Sequence, residues 1–357
     1  MSEKRARLDY LDLLRVFALG FVISFHYLFS GIAKGNIDSV SLSSFAAVAK
    51  YGYLGVELFF MISGFVILYS TNRSAGEFVR RRFLRLFPMF WMAIIMIYLV
   101  TLLPWWERSA PPLSKALWNL TMIPTAFGQE RLDAAHWFLV RELQFYLVVT
   151  VVLLLGRGKS LPKILPIWAI ILCIWNLLNF SDFNIWYFSG YFSLITGGAI
   201  IYSIREWGWN PLRTLGLIAA YVGAIDTRIS IIPVLDERRN TEYSALVIAL
   251  VVTAIFLLML LTLVKGIEKM SIGSIGIVGA ITYPPFQAKS FLIGDYPILY
   301  RCKLRIGLIK DAVEQSFRTR GRKQHKVGYH RAVQFWNDGF PTDWITVYNR
   351  RRFTVDV

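Results

Sequence analysis

The sequence is poor in charge. Of its 357 residues only 17% are charged, whereas 55% are hydrophobic and the mean hydropathy is +0.49. A soluble domain carries about 25% charged residues, so too little polar surface exists to cover a water-exposed globule. Cysteine is almost absent: Cys173 lies in an apolar run and Cys302 in the C-terminal tail. That excludes a disulfide framework and a cysteine-based zinc site, and no metal is expected. No internal repeat is visible, which counts against an inverted-repeat transporter. A cleavage site is missing too. Residues 1–8 have the basic flavour of a signal-peptide start, but Leu11–Ile32 lacks a small-residue site and reads as a retained first helix.

What is there is a series of charge-free runs: Val16–Ile32, Pro88–Trp106, Leu143–Leu155, Ile164–Ser181, Phe183–Ile204 and Tyr243–Val264. Most approach the ~20 apolar residues that cross a bilayer core. Helices satisfy their backbone polar groups internally, so the fold class is all-α, a polytopic transmembrane bundle. Nine spans are expected: Leu11–Ile32, Tyr51–Ser70, Phe87–Trp106, His136–Leu155, Ile164–Phe180, Ile185–Ile204, Leu212–Leu235, Tyr243–Val264 and Ser271–Ile293. The seventh is the weakest, because Asp226 and Arg228 interrupt it and Pro233 follows.

The formal charge of +16 is concentrated in alternate loops. Lys4, Arg5 and Arg7 precede the first span, and Arg73 with Arg80–Arg82 and Arg85 follow the second. Arg157, Lys159 and Lys163, then Arg205 and Arg213, then Lys265 and Lys269 follow the fourth, sixth and eighth. The intervening loops are poorer in cations or balanced. Positive loops stay on the cytoplasmic side, so the N-terminus is expected there, and position rather than nucleic acid accounts for much of the charge. Trp105, Trp106, Trp137, Tyr51 and Tyr53 fall at outer span ends, as an aromatic belt would.

Residues 294–357 break the pattern. From Arg301 to Val357 there are 13 Lys+Arg against 5 Asp+Glu and no apolar span. Two domains are therefore read, a membrane domain over 1–293 and a basic non-membrane tail over 294–357. Either one more helix belongs before the tail, or the last hairpin does not insert normally, or the tail is not native coding sequence.

Ionisable residues inside spans cost about 3 kcal/mol at mid-helix on insertion scales, which makes them functional candidates by default. Arg15 and His26 lie eleven residues apart in the first span. That separation is three turns plus about 20°, so both occupy one stripe, about 16 Å apart in depth. Arg15 is then near the cytoplasmic surface and His26 in the outer half. The bland readings are a snorkelling anchor for Arg15 and a helix-packing hydrogen bond for His26.

Glu57 sits in Gly52–Phe65, about two turns from the outer end of the second span. Gly52, Gly55 and Gly64 give a neighbouring helix room for close approach. Glu142 opens the fourth span beside Arg141, which could simply neutralise it. One depth for His26, Glu57 and Glu142 favours a single polar site, with the His as general base. On the cytoplasmic side Arg82 and Arg85 share a helical face and suit a phosphate-rich ligand, although a plain positive loop would carry the same charge.

These motifs occur in a telling order. Arg15 with His26, the Gly52–Phe65 stretch, Arg81-Arg82-Phe-Leu-Arg85-Leu-Phe-Pro88-Met-Phe-Trp91 and Trp137-Phe-Leu-Val-Arg-Glu142-Leu-Gln-Phe145-Tyr146 follow one another. The string resembles the acyltransferase-3 family of bacterial inner-membrane proteins over about residues 8–285. Phe192–Tyr202, with Gly197 and Gly198, is similar to a later family element. The resemblance implies about ten helices and acyl transfer, usually of acetyl, from cytoplasmic acyl-CoA to a sugar hydroxyl. The acceptor would be a cell-surface or exported polysaccharide or a lipid-linked glycan. It implies no permanently bound cofactor; acyl-CoA is a substrate, and the partners are membrane lipid and glycan, not nucleic acid.

Matched position by position, Arg15 and His26 fall on the family's first-helix pair, and Arg82 and Arg85, with Arg81 beside them, on its CoA-associated basic motif. Glu142 falls on its acidic residue, and Glu57 lies within a motif without a settled role. The likeness departs at Gly279–Pro284, where the family continues its ninth helix and adds a tenth. Here Pro285-Phe-Gln-Ala-Lys289 and the basic tail follow, as a frameshift or truncation would produce, which would leave this chain inactive. Reading the encoding DNA in its other frames tests that: without a restored apolar helix the idea fails. Two further functions compete with acyl transfer: a glycan transporter or flippase, and a membrane scaffold that would leave the shared depth of the polar residues unexplained.

Overall fold

Aliphatic runs without charge find no hydrogen-bonding solvent in a bilayer, and the helix is the state that closes their backbone bonds locally. The computed structural model describes residues 9–30, 43–72, 74–103, 110–132, 137–178 and 190–267, and every regular element among them is helical. Helix α1 (Asp9–Ser24) runs on into a π-helical stretch, Phe25–Ser30. The short α2 (Ser43–Ala49) passes through a 3-10 segment, Lys50–Leu54, into α3 (Gly55–Tyr69). Then come α4 (Ala75–Thr101), α5 (Leu113–Asn119), α6 (Trp137–Leu154), α7 (Leu161–Leu177) and α8 (Tyr191–Trp207). The described part closes with α9 (Pro211–Ser230), α10 (Ile232–Arg239) and α11 (Ala245–Leu260).

Seven stretches are long and apolar enough to cross a membrane: Asp9–Ser30, Phe45–Tyr69, Ala75–Thr101, Trp137–Leu154, Gly158–Leu177, Pro211–Arg239 and Ala245–Leu263. Helix α8 has 17 residues, nearly all of them buried, and forms the middle of the bundle. The protein is thus a polytopic helical membrane bundle. These eight helices coincide with the first eight expected spans. The ninth, the departure at Gly279–Pro284 and the tail lie outside the described residues, as do His136, Trp105 and Trp106.

Three boundaries differ from expectation for physical reasons. Helix α4 starts at Ala75, not Phe87, capped by the Ser74 side chain, which accepts from the Glu77 N–H. The arginines of 80–85 therefore belong to the helix rather than to a loop. Its 27 residues span about 40 Å against a core of about 30 Å, so its first turns stand where cations meet headgroups. Helix α8 begins at Tyr191, and part of the expected start (residues 185–189) is outside the described residues. Pro233 ends nothing abruptly: α9 stops at Ser230 and α10 resumes at Ile232 with proline in its first turn, the position where its missing N–H is harmless.

Glycine sets the packing. A Cβ on Gly64 would strike the Ile195 carbonyl, and one on Gly198 the Met61 carbonyl, so α3 and α8 touch backbone to backbone. Gly52 and Gly55 meet the α1 backbone at Phe21 and Ala18 in the same way. Helix α9 lies against α7, α8 and α11, and α4 against α6. Tyr51 and Tyr53 turn inward onto Tyr243, with ring centroids 5.6 and 5.8 Å away, rather than forming a belt. Trp137 likewise packs inward, 4.7 Å from the Tyr191 ring. Outside the spans, Asn119 stitches the α5 loop by bonding the Glu130 carbonyl and the Leu132 N–H. Lys115 there hydrogen-bonds Glu130 and holds its carboxyl below the usual carboxylate range.

Candidate active site

Two groups of polar side chains occupy the bundle. The first is central. Arg82, on the third turn of α4, is 8% exposed and points inward. Its Nη2 donates to the Val66 carbonyl at 3.1 Å and to the Ser70 hydroxyl, tying α4 to the end of α3. The guanidinium lies 5.4 Å from the Phe78 ring centroid and 5.2 Å from that of Tyr146. The Tyr146 hydroxyl in turn donates to Glu142 Oε1, one turn back along α6. Tyr146 thus carries a cation on its face and a carboxylate at its tip. Arg80, Arg81 and Arg85 remain exposed on the same helix, and Arg81 pairs with Glu77 at 2.8 Å.

The second group lies toward the end where α1 finishes and α3, α6 and α8 begin. Glu57, in the first turn of α3, and Arg228, near the end of α9, are 1% and 2% exposed. Arg228 Nη1 donates to Glu57 Oε1 at 3.0 Å. Two opposite charges in a dry interior need each other and good geometry, and here a ring completes the pairing, since Arg228 lies 4.2 Å from the Tyr191 ring centroid. Tyr191 packs on Trp137 and on Phe60, 5.3 Å away. Arg239 closes the other flank, 4.3 Å from the Phe25 ring centroid.

His26 follows Phe25 in the π-helical stretch, edge-on to its ring at 5.1 Å. Single π-helical turns inside helices recur at functional sites because they re-aim side chains. Phe25 also meets Tyr53, centroids 5.9 Å apart, and Tyr53 stands one turn before Glu57. His26 and Glu57 therefore share one end of the bundle. The expected grouping with Glu142 takes a different form: Glu57 is joined to Arg228, while Glu142 is joined through Tyr146 to Arg82. Arg82 and Arg85 do not act as a matched exposed fork, because only Arg85 is exposed. Arg15 forms an ion pair with Asp12, one turn earlier on α1.

A family model described as an acyltransferase domain, that of the acyltransferase-3 family, matches residues 8–284. The chain belongs to the acyltransferase-3 family. No curated protein and no solved structure matches it. For this acyltransferase-3 protein the match takes in every described helix and both polar groups. Sequence reasoning missed Arg228, Tyr191 and Arg239, and gave Tyr146 no role. A signal for Arg228 existed. A guanidinium inside a span demands a counter-charge, and Glu57, buried at the same end, was the acid left without a partner.

Proposed function

We propose that this acyltransferase moves an acyl group, acetyl in the first instance, from acyl-CoA at the cytoplasmic face to a hydroxyl of a surface or exported polysaccharide or lipid-linked glycan. It would work in the bacterial inner membrane with its N-terminus in the cytoplasm. The observation that carries the reading is the line of desolvated polar groups running from Arg82 through Tyr146 to Glu142, with the His26 end of the bundle beyond it. An oily bundle bears such groups only at a cost, and acyl transfer gives them work.

In this reading the exposed guanidiniums of Arg85 and Arg81 meet the CoA phosphates at the mouth. Arg82, engaged by Ser70 and Tyr146, bridges that mouth to the interior, and Arg15 lines it. His26 takes the proton of the acceptor hydroxyl as the oxygen attacks the thioester carbonyl. The carbon–sulfur bond breaks, and CoA leaves as the thiol after recovering the proton. Glu142 balances charge along the path, and Glu57 orders the acceptor end. His26→Ala is expected to insert normally and to abolish incorporation of labelled acetate into glycan. Normal acetate content in a His26→Ala strain would overturn the assignment.

A further inference from the structure

Buried polar atoms without a hydrogen-bond partner are few in native folds, and each calls for an explanation. Among the described residues five of them gather in one place: Tyr53 OH, Glu57 Oε2, Arg228 Nε, Arg239 Nη1 and Tyr243 OH, with the Arg239 guanidinium and the Tyr243 hydroxyl close enough to interact with each other. The others are on Ser193, Ser203 and Arg213.

Tyr53 is the hub. It stands one helical turn from Glu57, 5.8 Å by ring centroid from the Arg239 guanidinium and 5.8 Å from the Tyr243 ring. Glu57 brings in Arg228. Four of the five atoms are N–H or O–H donors and one is a carboxylate acceptor. Charges at the rim favour an anion. Lys50 Nζ, which donates to the Glu242 carbonyl at 2.7 Å, lies 5.1 and 5.6 Å from the Tyr51 and Tyr243 rings. It joins Arg228 and Arg239 as a cation beside the carboxylates of Glu57 and Asp236, the latter accepting the Tyr243 N–H at 2.9 Å. Phe25, Tyr53 and Tyr243 supply aromatic walls. An occupant matching this set offers an oxyanion to guanidinium forks, a hydroxyl to Glu57 Oε2, and C–H faces to rings.

We propose that the Tyr53 cluster is an acceptor subsite for an acidic sugar residue. Its carboxylate would sit on Arg239 and Arg228, and one of its hydroxyls would donate to Glu57. This rests on the acyl-transfer reading above and narrows its acceptor to glycans bearing an anionic unit close to the acylated hydroxyl.

The test is titration calorimetry on the full-length protein in nanodiscs, with methyl glucuronide, methyl glucoside and inorganic phosphate as probes. The glucuronide is expected to bind about tenfold or more tightly than the glucoside, as a charge-assisted pair allows. Arg239→Gln should erase that preference, and Arg239→Lys should keep part of it. Tyr53→Phe, which removes one hydroxyl without changing shape, should weaken the glucuronide severalfold and covers the case in which Arg239→Gln does not fold. Equal binding of the two sugars, or a preference that survives Arg239→Gln, overturns the proposal. So does phosphate binding as tightly as the glucuronide, which would make the cluster a bare anion site. Labelled acetyl-CoA separates the two levels. Selective glucuronide binding without acetyl-CoA consumption keeps the subsite and removes acyl transfer; equal consumption with both sugars keeps acyl transfer and removes the subsite.

Discussion

Arg228 and Glu57 come from helices far apart in sequence, yet neither charge is tolerable alone. Removing one partner of a buried pair strands the other, at about 3–5 kcal/mol, whereas exchanging both for apolar residues is often close to neutral. Arg228→Ala is therefore expected to lower the thermal midpoint read by fluorescence-detected gel filtration by several degrees. Glu57→Leu combined with Arg228→Met should recover most of that loss. A single variant as stable as the parent would mean that the pair is not buried as described. Tyr146 offers a different test, because Tyr146→Phe keeps the ring against Arg82 and deletes only the donor to Glu142. A hydrogen bond to a charged group contributes about 1.5–3 kcal/mol, or about 10–100-fold in rate at 1.36 kcal/mol per decade. Acetyl-CoA consumption by membranes should fall in that range, and an unchanged rate would reduce Tyr146 to a packing residue.

At the scale of elements, the glycines decide which helices can touch. Gly64 and Gly198 bring α3 and α8 into backbone contact, whereas Gly20 has no atom within 4 Å of where a Cβ would stand. Overpacking of a tight contact costs about 1–3 kcal/mol or more. Gly64→Leu is expected to give aggregated or degraded protein in gel filtration, with Gly20→Leu eluting as the parent does. The sequence makes this motif legible, since its spacing announces close approach, but it does not say which helix approaches. The spans were legible for the same reason: long apolar runs have one outcome in a bilayer. The start of α4 was not, because hydropathy sees the four arginines at 80–82 and 85 as a loop, while a helix can carry them through the headgroup layer. The seventh span looked doubtful because of Asp226, Arg228 and Pro233; the arginine is neutralised by Glu57 from another helix, and the proline sits in the first turn of α10, where it is tolerated.

At the scale of the whole molecule, the charge-free runs gave a fold of the right kind and the order of the motifs gave the acyltransferase family. What the one-dimensional pattern omits is pairing at a distance. Depth alone grouped His26, Glu57 and Glu142, and the structure assigns the two carboxylates to different partners. Glu57 and Arg228 are separated by 171 positions, and that interval has a consequence for how the protein is made. At about 5–20 residues per second the ribosome releases the acid on the order of ten seconds or more before its counter-ion exists. During that time α3 must wait beside the insertion machinery with an unmatched carboxylate, and docking becomes possible only once α9 has emerged. A chain stopped after α8 is expected to be cleared rapidly by membrane proteases in pulse–chase labelling, and Glu57→Gln in the same truncated chain should lengthen its half-life. Equal decay of the two would detach the timing of assembly from this pair.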